Sequence, residues 1–150
     1  MELIDAVTDF SIEKDIVRPE YDVEFRISED REVFAWGRSL VPHQVYSALC
    51  CVAYTHEIPI NMEQLTEYST NHSPYRGDIA VAYTVWNCSD TKGSGRSLIL
   101  ALQKHFSSHA KVNRLVTLSP LTEMAKRFHL SNGARLLSTN PESYNFEYGI

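Results

Sequence analysis

The sequence predicts a mixed α/β (α+β) domain in which helices flank one sheet. Strand-like apolar patterns dominate the first half of the chain, and strands alternate with amphipathic helices in the second half. The segment at 79–86 is apolar on both faces, as expected for an interior strand, and a helix and a further strand follow it. A strand–helix–strand unit of this kind predicts a right-handed parallel crossover between 79–86 and 115–118.

Length and composition favour a single domain over residues 1–150. The chain has 43% apolar residues, and a chain of this length buries roughly 70% of its unfolded surface. Its mean hydropathy is −0.26 and no run of about 18 apolar residues occurs, so we expect no membrane segment. The acidic N-terminus is unlike a secretory signal, and three cysteines, two of them adjacent, suit a reducing compartment. We therefore expect a cytoplasmic location.

The spacing of apolar residues predicts the individual elements. Helical spacing predicts an amphipathic helix within 2–17, which Pro19 ends. Apolar and charged residues alternate over 21–27 and predict a half-buried strand. The other predicted elements are strands at 32–38, 45–55, 79–86, 115–118, 135–138 and 144–148, helices at 61–68 and 96–108, a polar loop at 69–77, and a helix that Ser119 and Pro120 open, that runs to Leu130 and that Gly133 caps.

Charge is distributed unevenly along the chain. Residues 1–40 hold eleven acidic and five basic side chains, whereas residues 91–135 hold eight basic side chains and one acid. The basic excess favours an anionic ligand at that end of the molecule, and a solvated helix face is the alternative. We expect no nucleic acid partner, because the net charge is −5 and no basic run is interleaved with aromatic residues.

A glycine turn follows the strand predicted at 79–86 and leads into a helix. Glycines let the main chain approach a ligand closely, and a helix N-terminus offers free N–H groups and a favourable dipole to an anion. A purely structural turn is the alternative, because the pattern is neither a dinucleotide fingerprint nor a phosphate loop. The residues that we predict to bind the anion are Lys92, Gly93, Ser94, Gly95 and Arg96.

The turn resembles the pyrophosphate-binding turn of the GNAT acyltransferases, which holds the pyrophosphate of coenzyme A. The later segment from Ala125 to Gly133 has that family's spacing, with His129 at the position where ordinary members carry a tyrosine that protonates the CoA thiolate. The resemblance implies a GNAT-like, mostly antiparallel sheet with a splayed parallel strand pair and flanking helices. It also implies an acyl-CoA thioester as substrate and no prosthetic group.

Within that superfamily the chain is most similar to the catalytic domain of malonyl-CoA decarboxylases. The resemblance implies that the family's catalytic serine and histidine fall on Ser119 and His129, and that Tyr148 and Asn145 complete the pocket. This chain has nine residues between Ser119 and His129, where the family carries a long helical insert. The segments that carry the resemblance are 52–58, 80–83, VTLSP at 116–120, RFHLSNGAR at 127–135 and NFEY at 145–148.

Both catalytic candidates also have structural explanations. Ser119 precedes Pro120 and suits a helix N-cap, and His129 near a helix end would relieve the helix dipole. A straight helix from Pro120 would separate Ser119 from His129 by about 15 Å, too far for a hydrogen bond. A helix that starts at Thr122 would let both line one substrate without touching. The other histidines show no ligand spacing, so we expect no metal.

The predicted function is decarboxylation of a malonyl-type thioester of CoA or of an acyl carrier protein. His129, with an ordinary pKa of ~6.5, would protonate the enolate, and Ser119 would orient the carboxylate. Acyl transfer to a carrier-protein thiol or an amine is the alternative, although the strands at 45–54 and 79–86 offer no acidic base. A non-catalytic acyl-CoA sensor is the third option, and an exposed edge strand leaves a homodimer open.

Overall fold

The computed structural model describes residues 1–40, 44–70, 74–109 and 111–150. The loop predicted at 69–77 therefore lies partly outside the described residues. The elements along the described chain are β1 (Glu2–Ile4), α1 (Val23–Ile27), β2 (Arg31–Ser39), β3 (Gln44–Thr55), α2 (Met62–Ser69), β4 (Ile79–Asn87), α3 (Ser94–Ser107), β5 (Arg114–Thr117), β6 (Ser119–Pro120), α4 (Glu123–Ser131), β7 (Arg135–Thr139) and β8 (Ser143–Tyr148). Within these ranges, no helix is long and apolar enough to cross a bilayer.

All of these strands belong to one sheet, in the order β1-β2-β3-β4-β5-β8-β6, with β7 paired to β8. Strands β4 and β5 pair in parallel, from Ile79 opposite Arg114 to Ala82 opposite Thr117. The other strand pairs of the described chain are antiparallel. The predicted mixed sheet and its parallel pair are therefore confirmed.

Strands β4 and β5 separate beyond Ala82. The last main-chain bond between them runs from the N–H of Leu118 to the oxygen of Ala82 (2.9 Å). Opposite β3 the register skips Tyr83, which makes it the extra residue of a β-bulge, and bulges increase local twist. Strand β6 pairs with β8 alone among the described strands. We call the opening between Tyr83 and Leu118 the strand gap.

The two faces of the sheet carry separate apolar cores. Helix α3 buries Leu98, Leu102 and Phe106 against one face, together with aromatic residues of β8. The opposite face packs against α2 and the N-terminal segment, through residues that include Val7 and Leu65. The strand gap therefore opens between two well-packed layers.

The helix predicted within residues 2–17 is wrong. Residues Glu2–Ile4 form a strand that pairs with β2, so their main-chain groups are satisfied by the sheet. Leu3 packs on the α3 face, whereas Ile4 and Val7 pack on the other face. Side chains that alternate between two faces require a strand, even though their spacing also fits a helix.

The strand predicted at 21–27 is also wrong, because Val23–Ile27 is a short helix. The Asp22 side chain caps it by accepting a hydrogen bond from the N–H of Phe25 (2.9 Å). Arg26, assigned to the polar face of the predicted strand, is fully buried and forms an ion pair with Asp15 (2.6 Å). The negative charge of Asp15 compensates the buried charge of Arg26. Because Asp15 lies eleven residues earlier in the chain, the alternation of apolar and charged residues over 21–27 does not reveal this contact.

The helix predicted to open at Ser119 and Pro120 begins later. These two residues form β6, and Thr122 is the N-cap of α4, its hydroxyl accepting from the N–H of Ala125 (3.2 Å). The predicted C-terminal glycine is confirmed, since Gly133 has φ +94° directly after the C-cap Asn132.

Candidate functional site

His129 and Tyr148 form a buried hydrogen-bonded pair. The His129 Nδ1 lies 2.7 Å from the Tyr148 hydroxyl, and the two side chains come from α4 and β8. The imidazole is 6% exposed and stacks on Phe146, with ring centroids 5.2 Å apart. The main chain of His129 is also fixed, because its oxygen accepts from the N–H of Ala134 (3.1 Å) in the turn that ends α4.

Burial lowers the pKa of His129 to about 4. The imidazole is therefore neutral at pH 7, and the ordinary pKa expected from the sequence is wrong because water cannot stabilise the charged ring. Burial also raises the pKa of Tyr148, so its phenol keeps its proton. The pair consists of two neutral groups whose remaining nitrogen, Nε2 of His129, is the one available to a ligand.

Ser119 lies on the same face of the sheet as His129. It pairs directly with Tyr144, and opposite residues of an antiparallel pair project to the same face. Tyr144, Phe146 and Tyr148 alternate along β8 and share that face, which α4 covers with His129. The structure thus brings both predicted residues to one face and shows no hydrogen bond between them.

The hydroxyl of Ser119 belongs to a buried hydrogen-bond chain. It donates to Thr117 Oγ1 (2.9 Å), which also accepts from the main-chain N–H of Phe146 (3.1 Å). Ser119 is therefore not a helix N-cap, and Thr122 has that role. Asn145, the other predicted pocket residue, is fully buried and its amide donates to the oxygens of Thr117 and Pro59 (2.8 and 3.0 Å).

The predicted glycine turn lies at the N-terminus of α3. Gly93 adopts φ +82°, a conformation that favours glycine, and no side chain caps the helix. The N–H of Gly95 donates to Asn87 Oδ1 (3.0 Å), which ties the turn to the end of β4. The N–H groups of Ser94 and Arg96 have no acceptor within the described chain. Such N–H groups at a helix N-terminus suit an anion.

Arg96 joins this turn to the end of α4. Its Nη1 donates to Asn132 Oδ1 (3.4 Å), and the Asn132 side chain also interacts with the Tyr148 hydroxyl, an interaction that lowers the pKa of Tyr148 against the larger effect of burial. Asn132 is three residues from His129, so the turn and the end of α4 that carries His129 are neighbours in space. Asn132 is not among the site residues predicted from the sequence, although the RFHLSNGAR segment contains it. The exposed side chain of Lys92 adds positive charge beside the turn.

The described residues contain no cluster of three or more His, Cys, Asp or Glu side chains that could hold a metal ion. Cys50 and Cys51 are buried, and burial raises the pKa of both thiols, that of Cys51 to about 12. Their thiols are therefore protonated at neutral pH and unsuited to nucleophilic catalysis.

The sheet order, the parting parallel strands and the glycine turn together define a GNAT-like fold. This confirms the predicted fold class. The fold resembles the catalytic domain of malonyl-CoA decarboxylases and also that of GNAT acetyltransferases.

Three solved structures illustrate the likeness. Malonyl-CoA decarboxylase from Agrobacterium vitis is 18% identical, with a TM-score of 0.67, and the match covers 93% of this chain and 56% of that one. AtaTR bound with acetyl-CoA is 13% identical, with a TM-score of 0.58 and coverage of 97% and 91%. The GNAT domain of S. lividans PAT is 12% identical, with a TM-score of 0.55 and coverage of 85% and 63%.

These identities establish the fold alone. The chain spans little more than half the length of the decarboxylase structures that it matches, between 56% and 60%. No protein-family model and no curated protein matches the sequence.

Proposed function

We propose that this chain releases CO2 from a malonyl-type acyl thioester, carried by CoA or by an acyl carrier protein. The observation that carries the proposal is the position of buried His129, bonded to Tyr148, on the same sheet face as Ser119. The similarity in fold to malonyl-CoA decarboxylases over 93% of the chain supports it.

The proposed binding mode uses the glycine turn and the strand gap. The diphosphate of a CoA thioester would accept hydrogen bonds from the free main-chain N–H groups of Ser94 and Arg96, with Lys92 and Arg96 supplying positive charge. The pantetheine arm would then enter the strand gap, because β4 leads directly from the gap to the turn. The thioester would reach the face that carries Ser119 and His129.

The chemistry requires one bond to break and one proton to arrive. The bond between the carboxylate carbon and the α-carbon breaks, and its electron pair moves into the thioester as CO2 leaves. The resulting enolate holds its charge on the thioester oxygen. Main-chain N–H groups that the separating strands leave unpaired would stabilise that charge. The α-carbon then takes a proton, and the products are CO2 and the shortened acyl thioester.

His129 is the proposed proton donor, although it is neutral in the free protein. A malonyl carboxylate beside the ring raises the pKa of the imidazole, because an opposite charge favours the protonated form. The ring therefore takes up a proton from solvent as the substrate binds, and it delivers that proton to carbon after CO2 has left. Tyr148 orients the ring through Nδ1, so Nε2 carries the transferred proton.

Ser119 is proposed to orient the carboxylate from which CO2 departs. Its hydroxyl can rotate toward the substrate if Thr117 donates to it instead of accepting. The N–H of Phe146 keeps Thr117 Oγ1 in place during that exchange. Thr117 is thus proposed as a positioning residue for Ser119.

Mass spectrometry of thioesters incubated with the protein tests the proposal. We expect malonyl-CoA to lose CO2 and yield acetyl-CoA, methylmalonyl-CoA to react according to how its extra methyl group fits, and acetyl-CoA to remain unchanged. Intact malonyl-CoA and malonyl carrier protein after prolonged incubation would contradict the proposal.

Acyl transfer is the second candidate, because the acetyl-CoA-bound AtaTR structure matches over most of both chains. The same incubations with an added amine or carrier-protein thiol separate the two reactions. Free CoA that forms only in the presence of an acceptor would favour transfer. Tight binding of every thioester without any product would favour a non-catalytic sensor.

A further inference from the structure

A guanidinium group lies across the strand gap. The Nε of Arg18 donates to the main-chain oxygen of Tyr83 (3.3 Å), and its Nη2 donates to that of Leu118 (3.2 Å). Tyr83 is the bulged residue of β4, and Leu118 directly follows β5. Arg18 therefore contacts both strands at the point where they part.

Buried groups fix the main chain of Arg18 from both sides. Asp15 Oδ1 accepts from the N–H of Arg18 (3.2 Å) and from the hydroxyl of Thr84 on β4 (2.9 Å). On the other side, Arg26 Nη2 donates to the oxygen of Arg18 (2.6 Å). Asp15 and Arg26 are themselves joined by an ion pair whose side chains are both 0% exposed. The main chain of Arg18 is thus anchored beside the gap by buried groups, and its guanidinium contacts the two main-chain oxygens at the gap.

Arg18 differs from the two other arginines of this region in how its donors are used. Arg26 and Arg31 each donate from Nε, Nη1 and Nη2 to acceptors of the protein. The Nη1 of Arg18 has no acceptor within the described chain, and the side chain forms no ion pair there. Burial lowers the pKa of Arg18, and the nearby negative charges of Glu20 and Asp15 partly oppose that shift.

Arg18 and Ser119 border the same end of the gap. The oxygen that Arg18 Nη2 contacts belongs to Leu118, whose carbonyl carbon is bonded to the nitrogen of Ser119, so a single peptide group separates the two residues. Ser119 brings a hydroxyl to one side of that peptide, and Arg18 brings a positive charge with free N–H groups. A guanidinium with free donors is well suited to a carboxylate, because it forms strong charge-assisted hydrogen bonds.

We propose that Arg18 makes the site selective for acyl groups that end in a carboxylate, an inference that rests on the proposed binding of a thioester in the strand gap. A malonyl group places its carboxylate two bonds beyond the thioester carbon, whereas acetyl and propionyl groups offer nothing to a cation. The guanidinium binds the carboxylate before CO2 leaves, so its loss affects substrate affinity more than the rate of the chemical step.

Isothermal titration with malonyl-CoA and propionyl-CoA tests the inference, because these ligands differ by a carboxylate in place of a methyl group. The His129→Gln chain serves as the parent so that malonyl-CoA is not consumed, and mass spectrometry of the recovered ligand verifies this. We expect malonyl-CoA to bind about tenfold to a hundredfold more tightly than propionyl-CoA. Arg18→Met removes that preference, and Arg18→Lys keeps part of it.

Arg76→Gln is the matched control, because it removes a positive charge from a side chain that contacts Glu32 and Tyr54 instead of the gap. It leaves the preference for malonyl-CoA unchanged. Equal affinities of the parent for the two ligands would overturn the inference. So would an Arg18→Met chain that loses affinity for both ligands equally, since that would indicate a structural role. If Arg18→Met does not fold, the smaller change Arg18→Lys replaces it in the test. A partial loss of the preference for malonyl-CoA would support the inference, and an unchanged preference would contradict it.

The outcomes also separate this inference from the proposed function. Suppose that malonyl-CoA binds preferentially but the unaltered chain releases no CO2. The inference that Arg18 selects a carboxylate would then stand, and the proposed decarboxylase function would be rejected. If CO2 is released but the preference for malonyl-CoA does not depend on Arg18, the decarboxylase function would stand and the role of Arg18 would be rejected.

Discussion

Two polar clusters each have one residue at the strand gap, Ser119 in one and Arg18 in the other, and they are built in opposite ways. We call the first the α4 pocket; it comprises two separate hydrogen-bonded pairs of neutral groups, His129 with Tyr148 and Ser119 with Thr117. We call the second the N-terminal clamp; it comprises Asp15, Arg18 and Arg26, all charged groups. The α4 pocket comes from helix and strand elements, whereas the clamp comes largely from irregular chain and the short helix α1.

The contrast shows which cluster can change its charge. Neutral groups are buried at modest cost when they are hydrogen-bonded, so His129 can gain a proton when a carboxylate arrives and lose it again. Buried charges must stay compensated, so Asp15 and Arg26 are locked together and hold Arg18 in place. The proposed roles follow this difference: proton transfer is assigned to the α4 pocket, and recognition of a carboxylate is assigned to Arg18 of the clamp.

The largest effect on CO2 release is expected from a substitution in the α4 pocket. Replacing His129 by Gln removes the proposed proton donor, and we expect CO2 release to fall by a hundredfold to ten-thousandfold. CoA binding stays close to that of the unaltered chain, because the glycine turn is untouched. His56→Gln removes an exposed histidine and serves as the control. A His129→Gln chain with normal turnover in a CO2-release assay would remove His129 from the mechanism.

A substitution that breaks the N-terminal clamp is expected to lower the free energy of unfolding of the protein. Asp15→Ala leaves the buried Arg26 without its counter-charge, which costs about 3 to 5 kcal/mol of unfolding free energy. Chemical denaturation measures this loss. Arg135→Ala, which breaks a pair in which Arg135 is 71% exposed, is the control and costs under about 1 kcal/mol. Equal losses for the two variants would show that the clamp is not a rigid framework.

The pH dependence of kcat/KM tests whether His129, with its low pKa, is the proton donor. This parameter reports the free protein, in which His129 has a pKa of about 4. The proposed donor is the protonated ring, whose fraction falls tenfold for each pH unit above that pKa. We therefore expect kcat/KM for malonyl-CoA to fall about a hundredfold from pH 6 to pH 8. A flat profile over this range would assign proton donation to another group.

The smallest effect concerns the orientation of Ser119. Thr117→Val keeps the side-chain shape but removes the hydroxyl that connects Ser119 to the N–H of Phe146. We expect kcat to fall roughly tenfold while KM changes little, since a misplaced hydrogen bond is worth about 1 to 2 kcal/mol. Thr66→Val removes a comparable hydroxyl from α2 and leaves kcat unchanged. Identical kinetics for the two variants would contradict the positioning role of Thr117.

The same contrast explains which parts of the molecule could be predicted from sequence. The long apolar runs of β3 and β4 identify interior strands, because such strands are buried on both faces. The resemblance to a known family pointed to Ser119, His129 and Tyr148, and the structure brings His129 and Tyr148 into contact. These features rest on local patterns or on short motifs.

The N-terminal clamp could not be predicted in this way. Arg26 fits the polar face of a strand until Asp15 is placed beside it, and that contact depends on how an irregular segment folds. Arg18 has no sequence signal of its own, since its role follows from two main-chain oxygens that are distant in the chain. The low pKa of His129 follows from burial, which a sequence motif does not reveal.

Malonyl-CoA that carries ¹³C in its free carboxyl group provides the most direct test of the proposed decarboxylation. We expect the unaltered chain to release ¹³CO2 and form acetyl-CoA in equal amounts, with turnover well above that of a protein-free solution. If malonyl-CoA is shown to bind but ¹³CO2 is released no faster than in the protein-free solution, the chain is not a decarboxylase of this thioester.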